Sequence, residues 1–150
     1  MSEGREREQT VLGVEIQGAW YGFDLSDVDK VQRSPRITPM PWLPRYYEGV
    51  CSLSGAILPV AALHSLAGCQ GRNGSDQQAI LVVHSPEYEC GLLIEESPFM
   101  VQVTEEDRLE GTPMEVSEHG LVFRESYSVS GRVLIMIDVR ETLKNIVVCE

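Results

Sequence analysis

The stretch Tyr47-Glu48-Gly49-Val50-Cys51-Ser52-Leu53-Ser54-Gly55-Ala56-Ile57-Leu58-Pro59-Val60-Ala61-Ala62-Leu63 decides how this chain folds. It holds two short apolar runs, 49–53 and 56–60, joined by Ser54-Gly55. A two-residue link ending in glycine suits a tight hairpin, because glycine supplies the positive φ that a primed turn needs. Pro59 cannot donate to a ladder and so belongs at an edge or a bulge. Such a hairpin is a barrel corner or a place where something docks. Residues 61–67 can add one or two helical turns, which Gly68 stops.

Upstream, Pro35, Pro39, Pro41 and Pro44 fall within ten residues, which excludes helix and fits a central strand badly. This is an extended crossover that leads Trp42, Tyr46 and Tyr47 into the hairpin. Before it, Leu12, Val14 and Ile16 alternate with Val11, Gly13, Glu15 and Gln17, a half-buried strand with one apolar face. Gly18 punctuates, and residues 19–25 form the second strand of a meander. Residues 26–31 offer an N-cap and a short helical turn with Val28 and Val31 on one side. The alternating Glu and Arg of residues 1–9 predict a disordered tail, leaving 10–150 as a single domain.

Downstream, residues 68–78 form a polar surface loop, with Asn73-Gly74-Ser75 as a turn. Residues 79–83 are a wholly apolar, buried strand. After a turn at Ser85-Pro86-Glu87, residues 88–95 and 100–104 continue an antiparallel meander. Residues 105–113 are an acidic loop, 116–123 return a moderate β signal, and 132–137 are the last buried strand. Asp138 with Glu141 makes a capping box for a helix carrying Val139, Leu143, Ile146 and Val147 on one face. Nine or ten short strands with two or three short helices argue for an all-β sandwich or barrel arrangement. No long helix is available to cross over a parallel sheet.

The length, 150 residues, suits one domain or two small intertwined subdomains, and 43% apolar with 23% charged residues is an ordinary globular composition. The longest apolar run, 55–63, is far below the ~20 residues of a membrane helix. The first eight residues have no apolar core, so neither a secretory signal nor membrane insertion is expected, and cytoplasmic residence is the default. The net charge of −11 argues against nucleic acid and anionic membranes as partners. Lys30, Arg33, Arg36 and Arg45 nonetheless sit in residues 30–47 without a single acid, whereas residues 87–118 hold ten acids against Arg108 alone. The acidic run is a solvated face or a polarised surface that orients docking.

Residues with catalytic potential do not converge in the sequence. His64, His84 and His119, with Cys51, Cys69, Cys90 and Cys149, show no metal-ligand spacing and no C-x-x-C pair, so buried reduced thiols and no metal are expected. His64 reads as a surface residue on the short helix. Asp24, Asp27 and Asp29 lack the glycine and terminal glutamate of a calcium loop and read as caps. There is no phosphate-binding glycine loop and no G-x-S-x-G elbow, and Cys51 lies in a buried strand where thiols are inert. The expectation is a protein that is not an enzyme and needs no cofactor.

With these pieces placed, the chain resembles the CheW-like family of bacterial chemotaxis coupling proteins from Thr10 to about Val148. Tyr21-Gly22-Phe23-Asp24 with Val28 and Val31, Ile37-Thr38-Pro39-Met40-Pro41, the hairpin 48–60, Gly91-Leu92-Leu93-Ile94-Glu95 and Gly131-Arg132-Val133-Leu134-Ile135-Met136-Ile137-Asp138 carry the likeness in order. The resemblance implies a mainly β fold of two intertwined five-stranded SH3-like barrels with short helices and a C-terminal helix. It also implies a non-catalytic adaptor, recruited to membrane receptor clusters, that couples the cytoplasmic tip of a chemoreceptor to the regulatory domain of a CheA-type histidine kinase. Val28 and Val31 match the family's partner-binding surface, and Gly49, Leu53, Gly55 and Pro59 its hairpin motif. Core packing is the competing role for Val28, Val31 and Leu53, and turn geometry for Gly55. Ser52, Ser54 and Ala62 stand where the family usually has Asn, Arg and Asp. Ser54 is therefore a candidate contact of altered chemistry, since serine cannot replace a guanidinium, and a specialised pathway follows. The alternative function is a small-ligand or peptide sensor using the groove between the barrels.

Overall fold

Three tight turns set the strand pairing. The computed structural model describes residues 8–33, 35–71, 77–111, 117 and 119–146. In it Gln17-Gly18, Ser54-Gly55 and Ser130-Gly131 have φ of 49° and 86°, 50° and 81°, and 50° and 80°. Positive φ at both positions is the primed turn that matches strand twist. These turns close β1 (Gln9–Ile16) on β2 (Ala19–Asp24), β4 (Tyr47–Leu53) on β5 (Ala56–Ala62), and β10 (Phe123–Val129) on β11 (Arg132–Ile137). The remaining strands are β3 (Val28–Arg33), β6 (Ala79–His84), β7 (Glu89–Ile94), β8 (Phe99–Val103) and β9 (Arg108–Leu109), with helices α1 (Leu63–Leu66) and α2 (Val139–Ile146).

The strands form two sheets, ordered β3-β6-β7-β5-β4 and β8-β1-β2-β11-β10-β9. The first is built from the middle of the chain and the second from the segments on either side, so the two SH3-like barrels are intertwined as the resemblance implies. In the five-stranded sheet the edge strand β3 approaches the tip of the β4–β5 hairpin, where Lys30 Nζ donates to Ser54 Oγ at 3.4 Å. In the other sheet the edge strands β8 and β9 are consecutive, joined by a 3-10 turn at Glu105–Asp107. Thr104 and Asp107 cap that turn reciprocally. The sixth strand of this sheet is the two-residue β9.

Several sequence expectations are corrected. The helical turn expected at 26–31 is a 3-10 turn at Leu25–Asp27, capped by Asp24, whose carboxylate accepts from Ser26 N at 2.9 Å. Val28 and Val31 lie in β3 instead, and a bulge between Val28 and Lys30 keeps them on one side, opposite Val83 and Leu81. The meander does not continue from β7 to β8: β7 pairs with β6 and β5, while β8 pairs with β1 in the other sheet. Each sheet contains one parallel pair, β5 with β7 and β11 with β2, without any long crossover helix. β10 was not expected, because polar Arg124, Glu125, Ser126 and Ser128 dilute its alternation. Asp138 caps α2 through Glu141 N at 3.0 Å, but its own N–H goes to Val122 O, so the box is not reciprocal. Expectations for residues 1–7, Asn73-Gly74-Ser75, Val116, Val147 and Cys149 lie outside the described residues.

The core has three parts. Cys51, Leu58, Val60, Ile80, Val82 and Leu93 fill one barrel, and Val11, Val103, Tyr127, Leu134 and Met136 fill the other. The largest cluster joins them: Leu12, Val14 and Phe23 meet Leu81, Val83, Leu92 and Ile94, sealed by Leu63 of α1 and Leu143 and Ile146 of α2. Strands at this junction bury both faces. β1 sends Val11 into its own barrel and Leu12 and Val14 into the shared cluster, so it is not the one-faced strand its alternation suggested. The unbroken apolar run of β6 has the same origin.

Candidate partner-binding surface

The β4–β5 hairpin is rigidly framed on its free edge. β4 is the last strand of its sheet, and the proline-rich crossover returns along it: Thr38 N donates to Val50 O at 2.8 Å and Val50 N to Thr38 O at 2.9 Å. Because Val50 spends both backbone groups on Thr38, its partner Pro59 needs no N–H toward β4. On the other side the parallel ladder with β7 starts only at Val60. Pro59 thus sits in an inner strand, not at a sheet edge, at a point where neither neighbour asks for its missing donor. Gly49 has φ +144°, and a Cβ there would stand 2.0 Å from Thr38 O, so the crossover can lie on β4 only over a glycine.

Outward from this frame, Ser52 pairs with Ile57, and Ile57 is 71% exposed. The crossover adds Trp42, 85% exposed, with Met40 exposed beside it. Neither Trp42 nor Ile57 was singled out in the sequence as a surface residue. The period-2 position of Ile57 was the available signal, masked by the apolar run around it. Of the residues that were singled out, Ser54 and Gly55 are exposed at the tip, and Leu53 and Pro59 are half-buried just behind it. Leu53 packs against the core of the five-stranded barrel. Gly49 is buried at the other end of β4. Val28 and Val31 are half-buried against the shared cluster, so they do not join the hairpin in one patch. Lys30, between them in sequence, is exposed and reaches Ser54.

The junction of the barrels holds a cavity of about 70 Å³ lined by Val14, Ile16, Leu63, His64, Ile94 and Glu95 among others. His64 is not the surface residue expected. Its side chain is 12% exposed, with Nδ1 3.8 Å from Glu95 Oε1. At the opposite ends of these strands, Asp24 caps its turn and His84 Nδ1 lies 2.9 Å from Asp29 Oδ1. Burial, and then the charge of Asp24, hold the Asp27 carboxyl above its ordinary range. Cys51 and Cys90 are buried as expected, Cys69 is only half-buried, and burial pushes the Cys90 thiol up to about 12. Among the described residues no three His, Cys, Asp or Glu side chains are grouped to hold a metal, and no helix is long and apolar enough to cross a membrane. The exposed features described above are a framed hairpin and large apolar side chains at Trp42, Ile57 and Met40.

Comparison with known proteins agrees with this architecture. A family model described as "CheW-like domain" matches residues 10–147. The chain is 27% identical to the chemotaxis protein CheW of Thermotoga maritima over 144 residues, covering 96% of this chain and 93% of that protein. It is 28% identical to the chemotaxis protein CheW of Rhizobium meliloti over 102 residues, 67% and 65% of the two chains. The crystal structure of the scaffolding protein TtCheW from Thermoanaerobacter tengcongensis superposes with a TM-score of 0.77 over 88% of this chain and 90% of that one. At 22% identity, that likeness establishes the fold.

Proposed function

This chain belongs to the CheW-like domain family, and on that premise we propose that it is a non-catalytic scaffold. In this reading it works in the cytoplasm, holding the regulatory domain of a CheA-type histidine kinase to the cytoplasmic tip of a chemoreceptor-type sensor in a chemotaxis-like pathway. The observation that carries it is the family match over 138 residues, 10–147, on a chain whose fold is also that of a scaffolding protein. The surface adds one supporting feature: Trp42 on the crossover is 85% exposed, and an exposed tryptophan is a side chain enriched in protein interfaces. The replacement of the family's usual turn residues by Ser52 and Ser54 favours a specialised pathway with its own partners. The sensor alternative is weaker: the junction cavity beside Leu63 and His64, about 70 Å³, is several times smaller than ordinary ligand sites of roughly 300 Å³ or more, and the larger hollow beside Tyr46 and His119, about 310 Å³, is lined mainly by polar residues rather than the apolar walls such sites use.

The test is a titration of the purified protein with the CheA-type regulatory domain from the same organism. Saturable binding, lost when Asp replaces Ile57 or Leu53 in a variant that still folds, supports the coupling role and maps its face to the hairpin. A folded wild-type protein that binds neither the kinase domain nor a receptor tip overturns it.

A further inference from the structure

Of the four cations that residues 30–47 hold without an acid, Arg45 stands at the base of the β4–β5 hairpin, away from its tip. There an open hollow of about 310 Å³ is lined by Arg45, Tyr46, Ser65 and His119, with Cys69 and Gln70 beside them. Three segments far apart in sequence build it: the end of the crossover, the last turn of α1 with the residues after it, and the loop before β10. Among the described residues no carboxylate lines it. The junction cavity, by contrast, is lined by Glu15, Glu95 and Glu96, and the hollow around Leu109 by Glu105, Glu110 and Glu125. In a chain of net charge −11, a concavity without an acid is where an anion meets least repulsion.

Hydrogen bonding sorts this hollow into spent acceptors and free donors. At the end of α1, Leu63 O, His64 O and Ser65 O accept from the N–H of Ala67, Cys69 and Gly68 at 3.0, 2.8 and 3.0 Å. Leu66 O accepts from Ser117 Oγ at 2.9 Å. The side chains of Arg45, Ser65 and His119 make no hydrogen bond or ion pair among the described residues. The Tyr46 hydroxyl makes none either, and its ring meets that of His119 with centroids 6.3 Å apart. A guanidinium, an imidazole N–H and two hydroxyls are therefore left to donate, and bonds from a charged donor to an oxyanion are the strong kind. We propose that this hollow binds a small oxyanion, a phosphorylated or carboxylated metabolite, with Arg45 as the charged anchor and Tyr46, Ser65 and His119 as further donors. The polar lining that suits an apolar ligand badly suits this one. Tyr46 adjoins the first residue of the seven-residue β4 and Ser54 follows its last, which sets site and hairpin tip roughly 20 Å apart at about 3.3 Å per residue. An anion held at the base leaves the tip open, so the inference goes beyond the coupling function and does not depend on it.

The experiment is isothermal titration calorimetry of the full chain at low salt with two probes, pyrophosphate and citrate, which present phosphoryl and carboxylate oxygens. Circular dichroism and urea midpoints verify that each variant folds. Saturable binding of at least one probe is expected, and the tighter of the two assigns the phosphoryl or the carboxylate class. Arg45→Ala should weaken that binding about tenfold. Arg45→Lys should weaken it less, because the charge stays while the planar fork is lost. Ser65→Ala and His119→Ala should each weaken it several-fold. Arg33→Ala removes the same charge from the end of β3, outside the hollow, and should leave binding unchanged. A wild-type chain that saturates with neither probe at millimolar concentration overturns the site. A loss in Arg33→Ala as large as in Arg45→Ala also overturns it, since the anion would then be answering net charge alone. So does full binding by both Ser65→Ala and His119→Ala, which would put the anion on Arg45 outside the hollow.

Discussion

Gly49 and Gly55 lie six residues apart in one hairpin and both have positive φ, yet they answer to different constraints. At Gly55 an added Cβ meets nothing within 4 Å, so Gly55→Ala is expected to cost only the left-handed conformation, about 1 kcal/mol. At Gly49 the same atom strikes the Thr38 carbonyl and forces the crossover off β4. Gly49→Ala should therefore cost about 3 kcal/mol or more, by strain plus the two lost backbone hydrogen bonds. Urea midpoints of the two variants check this, and equal losses would mean that the crossover yields without cost. Cys90 supplies a second prediction. Burial raises its pKa from 9.0 to about 12, so the folded chain keeps a proton that the unfolded chain releases. Its contribution to stability is whole below pH 9 and is lost as pH rises from there toward 12. At pH 10 the loss is on the order of 1 kcal/mol. Cys90→Ala should be less stable than wild type at neutral pH but decline less steeply between pH 8 and 10, in denaturation at each pH. Parallel declines would show that Cys90 does not titrate on unfolding.

The hairpins were readable wherever turn chemistry and apolar periodicity agreed, as at Ser54-Gly55 between two apolar runs. Ser130-Gly131 makes the same turn, but the strand before it is half polar, and the sequence reading passed over it. Pairing was harder to read than strand existence. Nothing within residues 88–104 says that β8 must leave β7 and join β1, because that choice is made by the shared core and not by local pattern. The same limit applies to the candidate surface. Lys30 and Ser54 are twenty-four residues apart, and only closure of the barrel brings them together. Turn chemistry also yields a prediction. Both Ser54 and Ser130 sit at φ 50°, where asparagine is better tolerated than serine. Ser54→Asn and Ser130→Asn should each raise stability by about 0.5 kcal/mol, and additively, since the turns belong to different sheets. A destabilisation by either, measured by chemical denaturation, would show that its serine hydroxyl matters more to the turn than backbone preference.

The two barrels of this chain differ from a pair of beads in one respect: their largest core lies between them. β1 and β6 each contribute one face to a barrel interior and the other to the shared cluster, and α2 closes that cluster from the end of the chain. Tyr47 ties the arrangement further, donating from its hydroxyl to Ile146 O at 2.6 Å across the full length of the sequence between them. Neither barrel can open without exposing the junction, so the molecule should unfold as a unit. Leu81 is the test residue, fully buried on the junction side of β6. Leu81→Ala should cost about 3 kcal/mol. The loss should appear equally in amide exchange of β6 in one sheet and β11 in the other, because both reach exchange through the same global opening. The contrasting outcome is a drop confined to the five-stranded sheet while β11 keeps its protection. That would make the barrels separate cooperative units. A partner bound at the hairpin could then loosen one barrel without the other. With one unit, a docked partner is felt as a rigid body, and the hairpin, the crossover and the inter-barrel junction are held in fixed register for whatever binds them.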